Sequence, residues 1–148
     1  QCGQPFDVIV DFAHTPDGME KIITNVKAVT KGKTYVVFCC RGKRDIGRRP
    51  QMMKLATDLC EFAIVTSDNY YGESFTSVLR DMLSECEKDN YEVNWDRKEA
   101  IHRGIDRLNE NDALLVLGKG HEDYLVLPNK QKIHFYDKEI ILDYIQSK

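Results

Sequence analysis

A chain of 148 residues, 42% hydrophobic and 30% charged, with 9 Gly and 4 Pro, is long enough to bury its own core and too apolar to remain disordered. Its formal net charge of −3 and isoelectric point of about 5.8 argue against a dedicated nucleic-acid binder. No run approaches the ~18 apolar residues of a membrane helix, and no signal-peptide pattern opens the chain. A cytoplasmic piece of a longer chain is expected.

The chain alternates short β-branched runs with stretches of helical period. Residues 6–10 read as a buried strand. Thr15 before Pro16 marks a helix start, an N-cap followed by a proline at the first helical position. Met19, Ile22, Ile23, Val26 and Val29 follow at helical spacing, and Gly32 is placed to end that helix in a left-handed conformation. Residues 34–40 form a second apolar strand. Residues 41–49 make a charged loop, and Pro50 opens a helix to about Cys60. A third strand covers 62–66. A polar turn, 67–73, leads into a helix with Phe75, Val78, Leu79, Met82, Leu83 and Cys86 on one face. Residues 91–95 alternate like a short strand near an edge. Asp96 and Glu99 form a capping pair for a helix ending near Leu108. The continuous apolar run 113–117 reads as a central strand. Residues 124–127 and 132–135 resemble a hairpin around Pro128-Asn129, and Asp137 can cap a last helix.

The predicted class is α/β: a Rossmann-like, mostly parallel sheet of about six strands, helices on both faces, and one antiparallel edge hairpin. No repeat or linker interrupts it, so one domain is expected over 1–148. The five cysteines (Cys2, Cys39, Cys40, Cys60 and Cys86) lack C-x-x-C spacing and read as reduced thiols.

In such sheets ligands bind at the carboxyl ends of the strands, beside helix N-termini. The residues there are unusual. After the first strand, Asp11 and His14 offer a carboxylate and an imidazole, either to a ligand or to the turn's own backbone. After the second, five of the nine residues 41–49 are basic and one is acidic. That loop suits a phosphate or carboxylate, or is simply solvated. After the third, Ser67-Asp68-Asn69-Tyr70-Tyr71-Gly72-Glu73 offers acceptors, an amide and stacking surface, or a plain turn. After 113–117, Gly118-Lys119-Gly120-His121-Glu122-Asp123-Tyr124 packs four ionisable types into a glycine loop. There is no P-loop, no dinucleotide fingerprint and no zinc-ligand spacing.

Together these loops resemble the Mur ligase family. Val10-Asp11-Phe12-Ala13-His14-Thr15-Pro16-Asp17 is similar to the V-D-Y-A-H-T-P-D motif that opens the C-terminal domain of those enzymes. Arg44-Asp45-Ile46-Gly47-Arg48-Arg49-Pro50 resembles R-D-x-G-[KR]-R-P, and Thr66-Ser67-Asp68-Asn69 resembles T-[SD]-D-N. Gly118 to Tyr124 matches G-K-G-H-E-D-Y without a change. The pattern is most similar to the branch that adds the third peptide residue, the UDP-N-acetylmuramoyl-tripeptide synthetases.

The resemblance implies that this is the third domain of a three-domain enzyme, without the UDP-sugar domain and the central ATPase domain. It implies an ATP-dependent peptide ligase of peptidoglycan synthesis that joins a diamino acid to a UDP-N-acetylmuramoyl dipeptide through an acyl-phosphate. ATP and Mg2+ would be held mainly by the central domain. No catalytic residue and no metal ligand are expected here, and neither are nucleic-acid nor membrane partners; a monomer is expected. The isolated chain is expected to fold without hydrolysing ATP. By position, Asp11, His14 and Arg48 would contact the nucleotide, with Arg48 facing its phosphates. Arg44 would bind a carboxylate of the incoming amino acid. Asp68, Asn69, Gly118 and Glu122 would hold its far end, Glu122 by pairing with a distal ammonium.

Two stretches depart from the family. Members that use meso-diaminopimelate read D-N-P-R, where this chain has Asp68-Asn69-Tyr70-Tyr71, so Tyr70 and Tyr71 become the residues that select the amino acid. Diaminopimelate, lysine, ornithine and lanthionine all stay open. Cys39-Cys40-Arg41-Gly42-Lys43 stands where the family has G-C-G-G-D, a bulkier and more basic loop. Competing readings are a cyanophycin- or folylpolyglutamate-synthetase-like amide ligase domain, a non-catalytic anion- or nucleotide-binding module, and a Rossmann oxidoreductase. The missing dinucleotide fingerprint weighs against the last.

Overall fold

In chain order the elements are β1 (Asp7–Asp11), α1 (Pro16–Val29), β2 (Thr34–Phe38), a 3-10 turn (Ile46–Arg48), α2 (Arg49–Leu59), β3 (Phe62–Val65), α3 (Phe75–Leu83), β4 (Tyr91–Val93), α4 (Arg97–Asp106), β5 (Ala113–Leu117), β6 (Tyr124–Val126), β7 (Lys132–His134) and α5 (Asp137–Gln146). The computed structural model describes residues 3–43, 46–69, 71–127 and 129–148.

β1 to β5 form one parallel sheet in the order β1-β5-β2-β3-β4, and β6-β7 form a separate antiparallel pair. The α/β architecture is the expected one, with five strands in the sheet and the hairpin standing apart from its edge. β5 is central, as its unbroken apolar run requires. It pairs with β1 (Asp11 opposite Leu117) and with β2 (Thr34 opposite Ala113). Because all five strands run the same way, their carboxyl ends and the loops that follow share one edge of the sheet.

The period of two sorts side chains between two cores. Val36, Phe38, Ala63, Val65, Leu115 and Leu117 pack with the buried faces of α1, α2 and α3. Tyr35, Val37, Ile64, Leu114 and Val116 pack with α4 and α5. Each fully buried aliphatic side chain contributes roughly 1.5–3 kcal/mol, which outweighs the modest helix propensity of these sequences. Cys39, Cys40 and Cys60 are buried and Cys86 is half-buried, none in a disulfide. Burial pushes the Cys60 thiol up to about 12, so it behaves as a small apolar side chain.

Two helix starts follow the predicted caps: the Thr15 hydroxyl accepts from Gly18 N at 3.2 Å and Asp96 from Glu99 N at 3.3 Å. Ser74, which the sequence reading does not single out, caps α3 by accepting from Ser77 N at 3.1 Å. Two expectations give way. α1 ends at Val29 with Thr30 in an extended conformation. Gly32 is instead a close-approach glycine: a Cβ there would lie 2.3 Å from Asp112 Oδ1. Asp137 does not cap α5. The N-cap is Tyr136, without a side-chain bond, and the Asp137 carboxylate turns inward to Arg97.

Candidate functional site at the carboxyl edge of the sheet

The loops after β3 and β5 meet above the end of β2, where Arg41 joins them. Its Nη2 donates to Gly118 O at 2.9 Å and to Glu122 Oε1 at 2.5 Å, and its Nη1 donates to the Tyr71 hydroxyl at 3.2 Å. Nε lies 3.7 Å from Asp68 Oδ1. Burial alone would lower the affinity of this guanidinium for its proton, but Asp68 and Glu122 outweigh that and hold its pKa above the ordinary value. Asn69 is fully buried; its Oδ1 accepts from Val126 N at 2.8 Å, and its Nδ2 faces Glu122 Oε1 at 3.5 Å.

Asp68 is also buried. Its Oδ1 accepts from Asn69 N at 2.6 Å, while Oδ2 has no partner among the described residues. Burial pushes this carboxyl above the usual range, against the pull of Arg97 and Arg41. Gly118 permits the approach. Its φ is +111°, and a Cβ there would lie 2.5 Å from Asp68 Oδ2.

Three more buried cations frame the cluster. Arg97 forms a fork with Asp137 (Nε–Oδ1 2.9 Å, Nη2–Oδ2 2.7 Å) and donates to Ser67 O at 2.8 Å and Leu117 O at 3.2 Å. It thereby ties the ends of β3 and β5 together across β2. Arg49 forks onto Glu73 at 2.6 and 2.7 Å, reaches Asp81 at 2.9 Å, and donates to Arg41 O at 3.0 Å. The Arg49 fork, with Lys43 N and the Ser77 hydroxyl, draws the Glu73 carboxyl down to about 2. Lys119 is fully buried and donates to Tyr124 O. Burial and the nearby Arg97 lower its pKa, while Asp68, Asp137 and Glu122 pull it back.

The predicted site residues thus fall into groups. Asp68, Asn69, Tyr71, Gly118 and Glu122 converge around Arg41. Asp11 and His14 lie beside them at the end of β1, since Gly118 N donates to Asp11 O at 3.0 Å. Both also serve the turn itself: Asp11 Oδ2 accepts from Ala13 N at 2.9 Å, and His14 Nδ1 is 3.0 Å from Phe12 O. Phe12 sits between His14, His121 and Arg41. Arg48 is exposed at the end of the 3-10 turn. Arg44 and Tyr70 lie outside the described residues. Glu122, expected to await an ammonium, is already paired with Arg41. Nor is the 41–49 loop a purely solvated or ligand-facing patch, since Arg41 and Arg49 are buried in internal ion pairs. Among the described residues no three His, Cys, Asp or Glu side chains converge in a way that could hold a metal ion.

The family model for the Mur ligase, glutamate ligase domain matches residues 1–120. The chain belongs to the Mur ligase family. Its Mur ligase relatives include two named UDP-N-acetylmuramoyl-L-alanyl-D-glutamate--2,6-diaminopimelate ligase. The protein from Clostridium perfringens is 40% identical over 97% of this chain and 30% of its own length. That from Clostridium botulinum is 44% identical over 95% of this chain and 29% of its own length. The chain therefore spans about a third of these relatives. A solved structure with the same ligase name superposes with a TM-score of 0.91 at 29% identity, over 97% of this chain and 30% of that one. A bifunctional folylpolyglutamate synthase/dihydrofolate synthase from Yersinia pestis, solved with AMPPNP and a Mn ion, shares the fold, with a TM-score of 0.58 at 16% identity over 75% of this chain and 25% of that one.

The Mur ligase motifs contain Arg49 and Lys119 without marking them as buried cations, and they do not reach Arg97. A signal for two of the three was present. Arg97 lies four, seven and eight residues before Ile101, Gly104 and Ile105, on the buried stripe of α4. Arg49 likewise precedes Met52, Met53 and Ala56 on that of α2. An arginine in register with an apolar stripe calls for a buried carboxylate partner.

Proposed function

We propose that the full-length parent of this chain is an ATP-dependent ligase that adds a diamino acid, 2,6-diaminopimelate as in its relatives, to UDP-N-acetylmuramoyl-L-Ala-D-Glu. It would work in the cytoplasm as a monomer, and this chain would be its C-terminal domain over 1–148. Here no helix among the described residues is long and apolar enough to cross a membrane. The observation that carries the reading is the convergence of Asp68, Asn69, Gly118 and Glu122 at one sheet edge, next to Asp11 and His14. The first group offers an ammonium its acceptors. The second offers a carboxylate for a ribose hydroxyl and an imidazole for a phosphate oxygen. Arg48, exposed at the start of α2, brings a guanidinium to phosphates, and MgATP enters as a substrate. Arg44 adds a fork for the amino acid's carboxylate. The work of this domain is then positioning and charge neutralisation.

The test follows phosphate release by the parent with ATP, Mg2+ and the UDP-dipeptide against meso-diaminopimelate, lysine, ornithine, lanthionine and neutral amino acids. Release with one diamino acid is expected, with Arg44→Ala raising its KM by the equivalent of roughly 2–3 kcal/mol. Silence across the panel from folded, ATP-binding protein would overturn the reading. An unchanged KM would remove Arg44 from the site.

A further inference from the structure

We propose that Arg41 is a specificity-determining residue, which together with Glu122 selects an amino acid whose far end carries both an ammonium and a carboxylate. This rests on the reading of the edge cluster as the amino-acid site. Arg41 is 4% exposed and Glu122 is held at 2.5 Å from it, so neither charge is dispersed in water.

Counted by formal charge, the innermost side chains sum to zero: Asp68 and Glu122 face Arg41 and Lys119, while Arg97 and Asp137 compensate each other. A lone ammonium, the far end of lysine or ornithine, would leave one uncompensated positive charge in a shielded space. A lone carboxylate would leave one negative charge. A zwitterionic end preserves the balance, and an unbalanced charge is what such a site tolerates least.

Geometry supplies a place for each half. The bond from Arg41 Nη1 to the Tyr71 hydroxyl is the longest of the guanidinium's bonds at 3.2 Å. It also lies on the open side, since Tyr71 is 38% exposed. A cleft of about 640 Å³, whose lining includes Lys43, Tyr71, Glu73, Val126 and Lys130, reaches the Tyr71 ring that separates it from Arg41. A carboxylate arriving through it takes the place of the Tyr71 hydroxyl on Nη1 while Nη2 keeps Glu122. The ammonium then finds the Glu122 carboxylate, the less buried partner of the pair. The loop after β2 thus supplies the cation that Tyr70 and Tyr71 in the loop after β3 cannot.

The test compares the parent enzyme with Arg41→Ala and Arg41→Lys variants by phosphate release with meso-diaminopimelate, lysine and 2-aminopimelate, which lacks the distal ammonium. Wild type is expected to prefer diaminopimelate to either analogue by at least about a hundredfold in kcat/KM. Arg41→Ala should cut efficiency on diaminopimelate tenfold or more, through KM rather than kcat, and leave lysine unchanged or improved. Arg41→Lys, which keeps the charge, should recover part of the preference and separates specificity from a folding defect. An equal loss on all three amino acids in both variants would assign Arg41 a purely structural role and overturn the proposal. So would a wild type that prefers lysine, which leaves the ligase reading standing. A wild type silent with every diamino acid would instead refute the ligase reading itself.

Discussion

Asp137→Asn removes one charge from an ion pair whose two side chains are wholly shielded from solvent. Breaking such a pair from one side costs about 3–5 kcal/mol, because the surviving charge stays buried. Two features place this case at the lower end. Asparagine still accepts one bond from Arg97, and the Asp68 carboxylate acts on the same guanidinium. A loss of about 3 kcal/mol corresponds to a fall in Tm of roughly 10 °C for a chain of this size. Arg97→Met should cost more, since Ser67 O and Leu117 O lose their donor as well. Adding Asp137→Leu to Arg97→Met should restore part of that loss, because the stranded carboxylate is removed. Urea and thermal unfolding of the 148-residue chain, Arg97→Met, Asp137→Leu and the double variant complete a double-mutant cycle, with Asp137→Asn measured beside it. Strict additivity of the two losses, or a loss below about 1 kcal/mol for Asp137→Asn, would refute the keystone role of Arg97.

Acid should destabilise the protein through Glu73, whose carboxyl sits at about 2 against an ordinary 4.5. A depressed folded-state value means that the unfolded chain binds the proton more readily. The stabilisation is complete above pH 4.5 and is lost as pH falls toward 2. Glu73→Gln should flatten that part of the stability–pH curve while lowering stability at pH 7; parallel curves for the two proteins would remove Glu73 from the account. Gly118→Ala should cost about 2 kcal/mol or more, from a positive φ combined with the clash on Asp68 Oδ2. A Tm within 2–3 °C of wild type would show that the loop relaxes without strain.

Much of the fold was legible because each element carries its own local signal. β5 reads as central from five unbroken apolar residues, and α1 and α4 announce themselves through Thr15-Pro16 and Asp96. The signals that misled were those with two physical uses. Gly32 suits a left-handed C-cap and also a close backbone approach, and only the Asn111-Asp112 turn packed against it decides for the second. Asp137 suits a cap and also a buried ion pair, and Arg97, forty residues earlier in the chain, decides. At the site, the motifs located Asp68, Asn69, Gly118 and Glu122. They could not show that Arg41 pairs with Glu122 across 81 positions, because a basic residue in a polar loop reads the same whether it faces water, a ligand or a carboxylate.

What distinguishes the internal arginines is that each serves a carbonyl as well as a carboxylate. Arg97 takes Ser67 O and Leu117 O with Asp137, and Arg49 takes Arg41 O with Glu73. Arg41 takes Gly118 O with Glu122. Where parallel strands end together, their loops leave main-chain acceptors out of reach of the sheet ladder, and buried acceptors need donors. A guanidinium supplies several at once in a fixed plane, and a carboxylate then restores neutrality. The positive charge at this edge is therefore first a consequence of building irregular loops above a parallel sheet. Arg97 and Arg49 spend each terminal nitrogen on a carbonyl or a carboxylate of this chain. The buried Nε of Arg49, like that of Arg41, has no hydrogen-bond partner among the described residues. What sets Arg41 apart is Nη1, which holds only a partly exposed phenol. A ligand can displace that phenol, which is why selectivity here should change with the loop after β2.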